Sequence, residues 1–167
     1  PGDLARADSE LRKLEATPSL AVLLGRAKHR ALVGLDVSGN AVGIDEAITA
    51  AKQGGASAAD VAFAELASAV LNGDTAKSQA IIEENATLRD QSALFALFEG
   101  VLLERSGDPT AKARFSKAVE LDARLLTARV RYARLLLLEG DLDGGAREAL
   151  LLPDDHPTKP TLSALSW

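Results

Sequence analysis

Residues 107–123 read GDPTAKARFSKAVELDA. Gly107 can take the left-handed conformation that closes a helix at its C-terminus. Asp108, directly after it, can accept hydrogen bonds from the free N–H groups of the next helix. Pro109 suits the first helical position, where a missing N–H costs nothing. The stretch therefore stops one helix and starts another at once. The same signal stands at Gly39-Asn40, Gly73-Asp74 and Gly140-Asp141, so the four are separated by 34, 34 and 33 residues, with Gly2-Asp3 at the start. One Gly-Asp is a common turn. Four at near-constant spacing mark an internal repeat, which points to a stacked array rather than one closed core.

Composition agrees with helices. The 167 residues are nearly half apolar, rich in Ala and Leu, with four Phe, one Tyr and one Trp. Small side chains and Leu suit close helix packing, and the β-branched and aromatic runs of a sheet are lacking. Without Cys there is no disulfide or thiolate chemistry, which leaves both cytoplasm and periplasm open. No apolar run is long enough for a membrane span, so no insertion is expected. The chain starts with Pro and holds no Met, which reads as a fragment of a larger protein. Its Ala, Leu, Arg and Gly bias fits a GC-rich bacterial source.

Charge is unevenly spread. Residues 60–104 carry eight acids against Lys77 and Arg89, and residues 105–134 carry eight bases against Asp108, Glu120 and Asp122. An acidic block followed by a basic one can steer a charged partner, or can be the solvated face of basic helices. The net charge of −5 argues against nucleic-acid binding.

Between the turns, periodicity predicts helices throughout. The expected fold is all-α: a second-type helix over 3–16 without its first, then four helix pairs over 19–53, 57–87, 92–121 and 125–151. Within these, Ser57 caps a helix with Asp60 as a partial capping box. The helix over 92–105 is apolar all round except Glu99 and should be the most buried. Helices are expected over 75–87, 109–121, 126–138 and 142–151. Residues 154–167 form a Pro-rich loop and a short cap.

This layout resembles the tetratricopeptide repeat family. In 107–123, Ala111, Phe115 and Ala118 match the small–large–small positions of the family's second helix. Ala7, Leu11 and Leu14 match similarly near the start. Phe63, Leu66, Ala67 and Val70 resemble the first-helix pattern. In the last repeat Gly144 and Gly145 loosen the second helix, and Leu152-Pro153 cuts it short. The resemblance covers residues 2–153 and implies a right-handed α-solenoid of antiparallel helix pairs.

No catalytic constellation is evident. His29 and His156 lack metal-ligand partners at helical spacing, and Asp154-Asp155-His156 reads as a solvated turn in a proline-rich loop. No cofactor and no metal are expected. In stacked pairs the first helices line the concave face. Candidate groove residues are Arg26, His29 and Arg30; Asp60 and Phe63; Leu94 and Leu97; and Thr127, Arg131 and Arg134. Arg131 and Arg134, a turn apart, suit a carboxylate. Leu94 and Leu97 suit an apolar side chain of an extended peptide or helix, although Phe63, Leu94 and Leu97 can equally be packing residues. The expected function is a non-catalytic scaffold that holds a peptide or helix, acidic in character, of a partner protein. The alternatives are a self-assembly module that forms homo-oligomers and a regulatory appendage of an enzyme in the full-length chain.

Overall fold

The computed structural model describes residues 44–165, and the described residues form helices and turns with no strand. The helices expected over 3–16 and in the first half of 19–53, together with Gly39-Asn40, lie outside the described residues. No described helix is long and apolar enough to cross a membrane. The chain divides into two compact units between Ala86 and Thr87.

The first unit contains α1 (Ile44–Gln53), α2 (Ala58–Leu71) and α3 (Thr75–Glu84), each packed on the next in sequence. Its core is Ile48 and Ala51 of α1, Phe63, Leu66, Ala67 and Val70 of α2, and Ile81 and Ile82 of α3. Polar ties set the register of α1 on α2. Ser68 Oγ donates to Asp45 Oδ1 at 2.7 Å, and Lys52 Nζ meets Glu65 Oε1 at 2.6 Å. Ser57 caps α2, where its hydroxyl accepts from Asp60 N at 3.2 Å and donates to Asp60 Oδ2 at 2.8 Å.

The helix expected over 75–87 ends early. Asn85 leaves helical geometry, and its side-chain amide donates to the Ile81 carbonyl at 2.8 Å. The Asn85 N–H makes its ladder bond to the same carbonyl at 3.2 Å, so the Ile81 oxygen accepts twice where the helix ends. A short helix, α4 (Ala86–Gln91), follows, which the periodicity does not predict.

The second unit continues with α5 (Ala93–Arg105), α6 (Ala111–Leu121), α7 (Leu126–Leu138), α8 (Leu142–Leu150) and α9 (Lys159–Leu165). From α5 to α9 each helix packs on the next, and α9 also reaches α7. α5 is buried on nearly every side, from Phe95 through Val101. Phe95 and Phe98 of α5 and Phe115 of α6 are the largest fully buried side chains there. The approach of α6 depends on Gly100, where a Cβ would stand 2.6 Å from Phe115 Cε1. α6 starts two residues later than expected. Asp108 Oδ1 accepts from Thr110 N at 2.8 Å and also from the Thr110 hydroxyl, so Pro109 and Thr110 belong to a turn.

The turns share one geometry. Gly55, Gly73, Gly107 and Gly140 have φ of 77°, 74°, 72° and 87°. In each case the following residue's N–H reaches back five positions, to Ala51, Ala69, Leu103 and Leu136 respectively, at 2.9 Å. A left-handed glycine and this long return bond together satisfy the last carbonyls of a helix. Asp74 and Asp141 then cap the next helix, accepting from Lys77 N at 3.0 Å and Gly144 N at 2.8 Å.

Gly144 and Gly145 do not loosen α8. Both are buried, and a Cβ at Gly144 would run into the capping carboxylate of Asp141, while one at Gly145 would run into Leu137. They are close-approach positions. The segment after Pro153 folds back as α9, whose Leu162 joins Ala133, Ala149 and Leu152 in a small core flanked by Leu126, Val130 and Leu137.

Candidate partner-binding face

The groove residues expected from the sequence fall into three groups. Arg26, His29 and Arg30 lie outside the described residues. Asp60 and Phe63 belong to the first unit. Asp60 is half-buried in the cap of α2, and Phe63 is buried in the core. The rest belong to the second unit, on α5 and α7. Leu97 is fully buried and packs inside, whereas Leu94 and Thr127 are half-buried near the starts of their helices. Phe63 and Leu97 are thus packing residues, and they offer no surface to a ligand in this conformation.

Arg131 and Arg134 do converge on a carboxylate, but it is the chain's own. Arg131 Nη1 donates to Glu104 Oε2, and Arg134 Nη2 donates to Glu104 Oε1. Glu104 sits in the last turn of α5, so the two ion pairs tie α5 to α7. The Glu104 side chain is 14% exposed and that of Arg134 is 49% exposed.

The same logic accounts for part of the two charge blocks. The buried Glu99 of α5 receives Arg89 and Arg114. Arg89 Nε donates to both its oxygens at 2.9 and 3.1 Å, and Arg114 Nε lies 2.7 Å from Oε2 without alignment as a hydrogen bond. Arg114 Nη1 also reaches Asp90 Oδ1 at 3.0 Å. Its guanidinium beside Asp90 holds that carboxyl below its ordinary range. Hydrogen bonding to Glu99 correspondingly raises the Arg89 pKa. Lys112 pairs with Glu139, and Arg129 with Glu148. Three acids of the acidic block, Asp90, Glu99 and Glu104, therefore pair with Arg114, Arg131 and Arg134 of the basic block, while Lys112 and Arg129 pair with acids beyond both blocks. Helical periodicity within α5 alone does not reveal Glu99 and Glu104 as the partners of Arg114, Arg131 and Arg134.

The Asp154-Asp155-His156 turn serves as a clip. Lys159 Nζ donates to Asp154 Oδ1 at 2.8 Å and to the Leu152 carbonyl at 2.7 Å, at the end of α8. His156 Nδ1 accepts from Thr158 N at 3.3 Å. Among the described residues no cluster of three or more His, Asp or Glu is placed to hold a metal ion. Beside the Arg131–Glu104 pair, the expected groove on α5 and α7 keeps Leu94, Thr127 and the outer edge of Arg134 partly exposed.

Comparison with protein-family models, with curated proteins and with solved structures finds no match.

Proposed function

We propose that the chain is a right-handed α-solenoid of tetratricopeptide-type helix pairs and works as a non-catalytic scaffold. It holds a peptide or helix of a partner protein against its first helices. The observation that carries this reading is the recurrence of one unit. α5, α7 and α9 begin at Ala93, Leu126 and Lys159, two equal steps of 33 residues. Equal steps, one shared turn geometry and neighbour-on-neighbour packing are what a stacked array requires. Such arrays use the face of their first helices for extended partners.

The partner's chemistry follows from Arg134. It bonds to Glu104 through Nη2 and is half-exposed. A guanidinium carries five donors, so this one suits an acidic side chain or a terminal carboxylate of the partner. Capture with the immobilised protein, mass spectrometry of what is retained and titration of the purified partner provide the test. Arg134→Gln keeps the Arg131–Glu104 pair, and it is expected to weaken binding about tenfold, the scale of one charge-assisted hydrogen bond. Unchanged affinity would refute the assignment of this face.

Self-association is the second reading. It is favoured by leucines exposed at the ends of α7 and α8, Leu138 at 72% and Leu150 at 69%, apolar surface that a second copy can bury. A monomer at every concentration in sedimentation would remove it.

A further inference from the structure

Helix α4 (Ala86–Gln91) is held differently from every other helix of the second unit. It has no buried side chain, and it lacks the extended helix-on-helix packing that joins α5 through α9. Its attachments are ionic. Arg89 lays its guanidinium on the buried carboxylate of Glu99, with Nε at 2.9 and 3.1 Å and Nη2 at 2.7 Å from the carboxylate oxygens. Asp90 accepts from Arg114 Nη1 at 3.0 Å, and the Arg89 carbonyl accepts from Arg114 Nη2. Glu99 comes from the middle of α5 and Arg114 from α6, so one four-residue charge cluster joins α4, α5 and α6.

The cluster is balanced when closed, with two acids and two bases. Glu99 is 5% exposed, and a buried carboxylate needs its counter-charges to be tolerated. If α4 lifts away, Glu99 keeps Arg114 and loses Arg89, while Asp90 gains water. Neither change empties the apolar core formed by Phe95, Phe98 and Phe115. Local opening draws on segments with few buried apolar contacts, and α4 is such a segment.

We propose that α4 is an ionic strap. Glu99 and Arg114 latch it onto α5 and α6, and it releases as a local unit while α5 to α8 stay folded. Release bares Glu99, which is buried while the strap is closed. The device stands whether or not the partner-binding reading holds.

Hydrogen exchange read by mass spectrometry on the full chain tests it, with peptides over 86–92 compared against those of α5 to α8. In the wild type the 86–92 amides should be protected, yet less so than those of α5. Arg89→Gln removes the latch on Glu99 and keeps the Arg114 contacts with Glu99 and Asp90. It should speed exchange over 86–92 about tenfold or more and leave α5 to α8 within about twofold. Glu99→Gln should have its largest effect on the same segment; if it unfolds the unit outright, Arg89→Gln alone decides. Unprotected amides over 86–92 in the wild type would overturn the proposal. So would unchanged exchange there in Arg89→Gln, or an equal rise across α5 to α8.

Discussion

Gly100 and Gly107 stand close in sequence and resist substitution for opposite reasons. Gly107 has φ of 72° and nothing within 4 Å of where a Cβ would stand, so space is free and the backbone is the constraint. Gly100 is an ordinary helical residue whose Cβ would stand 2.6 Å from the Phe115 ring, so the backbone is free and space is the constraint. Gly107→Ala is expected to cost about 1 kcal/mol in denaturant unfolding, with Gly107→Asn costing less because Asn tolerates the left-handed region. Gly100→Ala is expected to cost about 1–3 kcal/mol by overpacking, and Gly100→Asn more. Equal responses of the two sites to Asn would contradict this division. Gly107 is legible in the sequence because Gly-Asp names its turn. Gly100 is not, since nothing local separates a close-approach glycine from an idle one.

Among the elements, α4 and its neighbours show what charge does in this fold. Asp90 is exposed, with its side chain 67% open to solvent, yet hydrogen bonding to Arg114 lowers its pKa. The sign follows from linkage: a carboxyl depressed on folding adds stability above its unfolded pKa, and loses that contribution as pH falls through its folded pKa. NMR titration of the carboxyl carbons should place Asp90 below an ordinary aspartate, and Arg114→Gln should return it there. An ordinary midpoint in the wild type would contradict the geometry. Helices at 58–71, 93–105 and 126–138 are readable from caps and periodicity. The break at Asn85 is not, because residues 75–91 carry no Gly or Pro to mark it.

At the scale of the molecule, the charge reversal between Glu104 and Arg105 looks in sequence like a lead on partners. Within the second unit it is mostly internal bonding. The repeat register makes this intelligible. A shift of 33 residues sets Glu104 level with Leu137, one helical turn from Arg134, so the acid of one first helix meets the base of the next. Counting charges along the chain without that register hides the pairing. Phe63 and Leu97 fall in the core rather than on the groove for a related reason. A helix apolar all round shows which residues are apolar and not which of them remain uncovered.

The register makes one demand that reaches through the whole account. It places Arg129 of α7 at the position of the fully buried Ala96 of α5. In the second helices burial recurs at a step of 34, with Ala149 and Leu152 at the positions of Phe115 and Ala118. Arg129 pairs with Glu148, their side chains 7% and 21% exposed. Glu148→Ala takes the carboxylate from a buried guanidinium and is expected to cost about 3 kcal/mol, at the low end for a broken buried pair because Glu148 is partly solvated. The double substitution Arg129→Ala with Glu148→Ala removes both charges and gives α7 the residue that α5 carries at this position. Denaturant unfolding of the double variant tests the repeat most directly: it is predicted to regain about 1 kcal/mol or more over Glu148→Ala, because no charge is stranded. A double variant no more stable than Glu148→Ala would contradict a common repeat, and with it the scaffold built on that repeat.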